Sequence, residues 1–283
     1  MNQAQISSAL KAAGLGRITG DIEKIEQTSV RLVSQVANNQ PLRSAASRLG
    51  GLPDLPPEIP WPLLNGIPQS FIAQIRLEEI QPIVSKAGFP ANGMLYFFYD
   101  AHQKTYGEKP ADRGGWQVIY YDGELDHLIQ RSAPPDLPAE GSFQACTISF
   151  CSEITFPGKP EIFLPDFSWT EDEQARYEDF LYNFPSTQDR SAIHNRLFGH
   201  PDTIQDDMHL QCALMANGVS SIDDPQAARL AKTALDWQLL LQIDSDEHAG
   251  MKWASAGMLY FWIEQEKLAV HRFENTWLVL QSD

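Results

Sequence analysis

Apolar and polar residues alternate over several short stretches of this chain, and a period of two is the mark of a strand with one buried face. Such alternation, and short apolar runs bounded by turn residues, predict strands over Phe71 to Leu77, Gly93 to Asp100, Trp116 to Asp122 and Thr147 to Phe156. In the last of these, Ile148, Phe150, Ile154 and Phe156 are set between polar residues. Further strand-like runs occur over Leu239 to Ile243, Gly257 to Ile263 and Thr276 to Gln281. Asp122 and Gly123 supply the residue types of a hairpin turn.

Helical spacing of apolar residues predicts helices over residues 3–13 and 18–37, separated by Gly14 and Gly16. The second carries Ile18, Ile22, Ile25, Leu32, Val33 and Val36. Thr170 and Glu173 form a capping box ahead of Tyr177, Phe180, Leu181 and Phe184, which predicts a helix that Pro185 ends. A further helix is expected from about Ser186 to Phe198, stopped by Gly199, and another from Pro225 to about Asp236, capped by Asp223 and Asp224. Between Gly50 and Pro68 the prolines and glycines are too dense for helix or central strand. Leu55 and Trp61 lie within that coil and predict that it is pinned onto a core.

The order of the strands discloses a repeat. Gln74-Ile75, then Gly93-Met94-Leu95-Tyr96-Phe97, then Trp116 recur as Gln242-Ile243, Gly257-Met258-Leu259-Tyr260-Phe261 and Trp277. Gly66-Ile67-Pro68 and Gly199-His200-Pro201 make a shorter candidate pair ahead of each unit. The drifting spacing fits a duplicated domain with loop insertions rather than a short-period solenoid. The expected organisation is one domain over residues 1–283: N-terminal helices over about 1–40, a first unit over about 45–140 and a second over about 145–283. The expected fold class is α+β, a mostly antiparallel sheet with internal pseudo-twofold duplication and flanking helices.

With 283 residues and 43% hydrophobic content the chain can bury a sizeable core without staples. Its three cysteines, Cys146, Cys151 and Cys212, include no Cys-x-x-Cys pair, and read as buried structural thiols. No long uninterrupted apolar run is present and residues 1–20 lack the pattern of a signal peptide, so the cytoplasm is the expected compartment. A net charge of −16 argues against nucleic acid and anionic membrane surfaces as partners. Residues 1–141 carry 12 basic against 15 acidic side chains, whereas 142–283 carry 9 against 22. This asymmetry reads first as a solubility surface, and second as a face for a basic protein partner.

Two polar clusters are candidates for binding or catalysis. His200, Asp202, Gln205, Asp206, Asp207 and His209 offer carboxylates and imidazoles within a short stretch. Their chemistry suits magnesium, calcium, manganese or zinc, but their spacing equally suits turn formation and helix capping. Asp244, Asp246, Glu247, His248 and Gly250 resemble the start of a calcium loop, yet its sixth and twelfth positions are Ala249 and Ser255 instead of Gly and Glu. Pseudo-symmetry bringing Asp206 and Asp244 together would create a shared acidic pocket. No nucleophile elbow, phosphate loop or dinucleotide signature is found, and no motif requires a cofactor.

Several strings resemble the YwqG-like family of bacterial proteins. They are Gly50-Gly51-Leu52-Pro53, Trp61-Pro62, Phe71-Ile72-Ala73-Gln74-Ile75, Gly199-His200-Pro201 with Gln205-Asp206-Asp207-Met208, and Leu240 to Asp244 through Gly257 to Trp262. The resemblance spans about residues 45–283 and implies a compact α+β protein with an internal duplication. It brings no agreed activity, cofactor or catalytic residue. Some relatives are found among toxin and immunity genes, so an inhibitory binding role is one expectation that it adds. The leading expectation is thus a non-catalytic module that binds a basic protein. The alternative is a metal-dependent or small-molecule enzyme centred on Asp206, Asp207, His209 and Asp244.

Overall fold

Strands pair because their backbone amides and carbonyls stay unsatisfied until a neighbour supplies partners. In the computed structural model, which describes residues 3–38, 42–84, 86–184 and 193–282, ten strands form one antiparallel sheet. In chain order they are β1 (Gln27–Val36), β2 (Arg48–Leu49), β3 (Ser70–Arg76), β4 (Met94–Tyr99) and β5 (Trp116–Tyr121). These are followed by β6 (Cys146–Thr155), β7 (Asn195–Leu197), β8 (Trp237–Asp244), β9 (Gly257–Glu264) and β10 (Trp277–Ser282). The spatial order is β10-β9-β8-β7-β1-β6-β2-β3-β4-β5. From either edge the order runs through four strands before reaching the long central pair, β1 and β6, which stay in register from Gln27 opposite Thr155 to Val36 opposite Cys146.

The sheet curls until its two outer edges meet. Phe97 of β4 and Phe261 of β9 lie edge to face at 5.2 Å, and Trp116 of β5 meets Trp277 of β10 at 4.8 Å. Trp116 Nε1 donates to Thr276 O at 3.1 Å, and Leu280 N donates to Tyr106 O at 3.0 Å. The enclosed face forms one continuous apolar core to which both halves contribute. Because side chains alternate along a strand, the other face of β4 presents Met94, Tyr96 and Phe98 to a second cluster containing Leu55 and, at its margin, Trp61. A third cluster packs helices α1 (Gln3–Ala12) and α2 (Thr19–Ile22) against Phe156, Tyr177 and Phe180.

Most of the predicted strands form, and the α+β class holds. The helix expected over residues 18–37 does not form as such: α2 stops at Ile22 and residues 27–36 are β1. Thr28, Val30, Val33 and Val36 are stiff β-branched residues suited to a pleated surface, and two flanking strands satisfy the backbone on both sides. The helix expected over 186–198 is likewise replaced at its end by β7, residues 185–192 lying outside the described residues. Asp122 and Gly123 do not close a hairpin, since among the described residues β5 is an edge strand that pairs only with β4. α3 (Leu77–Ile80) follows β3 directly.

In α4 (Glu173–Asn183) the glutamate half of the capping box forms, with Thr170 N donating to Glu173 Oε2 at 2.9 Å. α5 (His209–Ala216) arises where no helix was expected. α6 (Ala227–Leu230) continues as a 3-10 turn to Asp236, and α7 spans Gln265–Ala269. Asp224 does not cap α6, whose N-cap residue is Gln226; its Oδ1 accepts from Gln226 N at 2.8 Å in the turn before the helix. The coil from Gly50 to Pro68 is pinned by buried Leu55 and by Trp61 Nε1, which donates to Gln69 O at 2.8 Å.

Candidate functional site

Each half of the sheet joins the same four polar side chains. In the first, Arg48 and Asp54 form an ion pair, Gln74 Nε2 donates to Asp54 Oδ2 at 3.1 Å, and Asp54 N donates to Gln74 Oε1 at 2.8 Å. Tyr96 Oη closes the set by donating to Asp54 O at 2.6 Å. In the second, Arg196 pairs with Asp202, Gln242 Nε2 donates to Asp202 Oδ2 at 3.0 Å, and Asp202 N donates to Gln242 Oε1 at 2.9 Å. There Tyr260 Oη donates to Asp202 O at 2.6 Å. Arg48 faces Gln74 across β2 and β3, as Arg196 faces Gln242 across β7 and β8.

The sets differ in what surrounds them. Asp54 retains 3% of its side-chain exposure and is sealed, whereas Asp202 retains 38% and also contacts His194 Nδ1 at 3.0 Å. Burial pushes the Asp202 carboxyl up, but the Arg196 charge and the His194 and Gln242 hydrogen bonds outweigh it and hold the group below its ordinary range. Arg196 Nε also lies 3.3 Å from Glu153 Oε2, and Glu153 Oε1 lies 3.3 Å from Arg31 Nη1. This relay crosses the central strands β7, β1 and β6.

A cleft of about 610 Å³ opens where the two halves approach one another. Lys86 enters it from the first half, and His200, His209, Gln238 and Trp262 from the second. Gln238 Nε2 and Trp262 Nε1 are buried donors with no acceptor among the described residues, and such an orphan costs about 1–3 kcal/mol. Lys86 Nζ lies 4.7 Å from the centroid of the Phe198 ring, and burial lowers its ammonium to about 8. His209 Nδ1 is 2.7 Å from Asp207 Oδ2, while the Phe163 and Trp262 rings pack on the imidazole. His200 Nε2 contacts Ile25 O at 2.6 Å, and burial brings its imidazole down to about 4, leaving it neutral at pH 7. The cleft therefore offers one cation, Lys86, at its wall, while the Gln238 and Trp262 donors are sealed from solvent, and an ammonium at a cavity wall is what receives an oxygen-rich ligand.

Over residues 47–282 the chain matches the family described as Domain of unknown function (DUF1963). The chain belongs to that family. No curated protein matches it at significant similarity. Both polar sets lie within the DUF1963 region, as does the cleft lining apart from Gln27 and Thr28.

In this DUF1963 chain the candidates drawn from the sequence fall in separate places. His200, Asp207 and His209 converge on Phe163 beside the cleft. Asp206 points out to Lys159 at 2.5 Å, and Gln205 Nε2 donates to Ser282 O at 2.9 Å. Asp244 Oδ2 accepts from His194 N at 2.8 Å, and burial raises its carboxyl despite that bond. Asp246 is fully buried, accepting from Asn195 Nδ2 at 2.8 Å and His248 N at 2.9 Å. Asp206 and Asp244 share no partner in these contacts. Among the described residues, no three His, Cys, Asp or Glu side chains are placed to hold a metal ion together. Likewise, no described helix is long and apolar enough to cross a membrane.

Cys146 and Cys212 are buried, but Cys151 is exposed, since it projects from the solvent face of β6. Lys86, Gln238 and Trp262 carry no signature of their own. They come from three distant segments, and only Trp262, at the end of the repeated string, stood near a sequence signal.

Proposed function

We propose that the cleft between the halves binds a small organic molecule bearing a carboxylate or similarly oxygen-rich group. The observation that carries this reading is the positive charge that Lys86 brings to a cavity of about 610 Å³. A ligand carboxylate in the cleft gains a charge-assisted bond from that ammonium. Under this reading the polar sets are scaffold, positioning the strand ends that line the cleft. Their matched partners and spacings support a common origin of the two halves, and with it the finer YwqG-like assignment.

A second reading has its own observation. Glu171, Asp172, Glu178 and Asp179 stand exposed on and beside α4, which favours contact with a basic protein, immunity-type inhibition being one form of it.

Calorimetric titration with lactate, citrate and inorganic phosphate tests the cleft. At least one should give saturable heat that Lys86→Met, which keeps the side-chain length and removes the charge, weakens by about tenfold. Saturable heat from none of the three sinks the proposal.

A further inference from the structure

β6 is longer than the strand beside it. It pairs with β1 along its whole length, but on its other side β2 reaches only Cys146 and Thr147. Ala37 N donates to Ala145 O at 3.2 Å in the register of the β1–β6 pair, so the odd-numbered residues of β6 turn their amides and carbonyls towards β1. Phe150, Ser152 and Ile154 turn theirs the other way, where among the described residues none of these three N–H and three C=O groups has a partner. The chain ahead of β2 bends away from the gap, Ala46 N donating to Arg43 O at 3.2 Å and Ala45 N to Asp54 Oδ2 at 2.9 Å. The next strand over stops as well. Arg48 stands beside both Thr147 and Gln74, which puts Arg76, the last residue of β3, level with Ser149, and α3 then buries Leu77 and Ile80 in the core. Along residues 149–155 the sheet is therefore open by the width of two strands.

This edge lacks the usual guards against pairing. Residues 142–152 contain no Pro, Gly or charged side chain, and Glu153 is buried against Arg31 and Arg196. Ser149, Cys151 and Ser152 stand exposed. We propose that the edge pairs with the same edge of a second copy of the chain, β6 against β6 in antiparallel order about a two-fold axis at Ser152. That register sets Phe150 of each copy opposite Ile154 of the other and Ser152 opposite Ser152, so that all three N–H and all three C=O groups of each copy gain partners. Two observations single out a second copy. A chain of net charge −16 repels itself over most of its surface, and an uncharged strip is where two copies can touch. Each β6 also brings its own β1 behind it, and the two-strand opening takes both, whereas a lone extended peptide would fill half of it. The contact is small, so the dimer is a weak one.

Concentration decides the matter. In sedimentation velocity the full chain should pass from monomer to dimer between about 1 μM and about 1 mM. Hydrogen exchange at the two ends of that range should show the Phe150, Ser152 and Ile154 amides slowed about tenfold in the concentrated sample, while those of Ser149, Cys151 and Glu153, held by β1, are slow in both. Ser152→Pro removes a donor that β1 does not use, and Ser152→Lys sets two like charges face to face on the axis. Each variant should keep the circular dichroism of the wild type and stay monomeric. A wild-type chain still monomeric at about 1 mM overturns the proposal, as does a dimer that leaves those three amides fast or that survives Ser152→Lys. Slow exchange of all three in the monomer would assign the edge to a segment of the same chain and overturn it too.

Discussion

Arg196 Nη2 donates to Asp202 Oδ2 at 2.7 Å across six residues of chain, the interval that also separates Arg48 from Asp54. Both carboxylates take a second bond from a glutamine on the next strand, and both backbone carbonyls take a tyrosine hydroxyl. What differs is solvent: the first pair is sealed and the second reaches it through Asp202.

That difference predicts unequal costs. Asp54→Ala strands the Arg48 guanidinium in the interior and should cost about 3–5 kcal/mol of stability, as breaking a buried pair does. Asp202→Ala should cost about 1–2 kcal/mol, because Arg196 keeps Glu153 at 3.3 Å and water reaches the vacated position. Urea unfolding of both variants measures the difference, and equal losses would contradict the asymmetry.

His200 makes stability depend on pH. Its imidazole is held at about 4 in the fold, against about 6.5 when unfolded, so the unfolded chain binds more protons between those values. The contribution is whole above pH 6.5 and declines as pH falls towards 4, by about 3 kcal/mol across the window. His200→Gln should flatten this part of the profile in urea midpoints read from pH 4.5 to 7.5. An unchanged slope would assign the acid sensitivity to other groups.

The meeting of the sheet edges depends on Gly107. Its φ is +74°, and a Cβ there would lie 1.8 Å from Leu278 O, while its own carbonyl accepts Trp277 Nε1 at 3.1 Å. Gly107→Ala should therefore cost about 3 kcal/mol and speed hydrogen exchange at Leu280 N, which donates to Tyr106 O. Gly114→Ala is the control: its φ is +99° but no atom lies within 4 Å of the added Cβ, so only backbone strain of about 1–2 kcal/mol is expected. Similar losses in the two variants would show that close packing against β10 is not what Gly107 provides.

Much of the architecture was legible because strands announce themselves locally. The stretches around Leu95 and Leu259 are short, apolar, aromatic and bounded by turn residues, and both form central members of their half-sheets. The error over residues 27–36 has a physical origin. Ile18, Ile22 and Ile25 keep helical spacing immediately before a β-branched run, and one window laid over both periods reads as a single helix. Only pairing with β6 on one side and β7 on the other settles that run as strand.

Candidate residues were legible by type and not by place. His200, Asp207 and His209 were found as a polar cluster because they are close in sequence, and they do converge beside the cleft. Asp246 looked like a ligand, yet it is spent on the turn that follows it, since Asp hydrogen-bonds to its own nearby backbone.

The sequence by itself determined the α+β class, the paired strands and the apolar faces, because those follow from side-chain alternation and local backbone preference. It also held the repeated string, whose Tyr96 and Tyr260 serve matched hydrogen bonds. Tertiary structure alone decided that Lys86 meets Trp262 in one cleft. Curling of the sheet joins residues that are far apart along the chain, and the desolvation that leaves donors unpartnered and an ammonium lowered exists only once that join has excluded water.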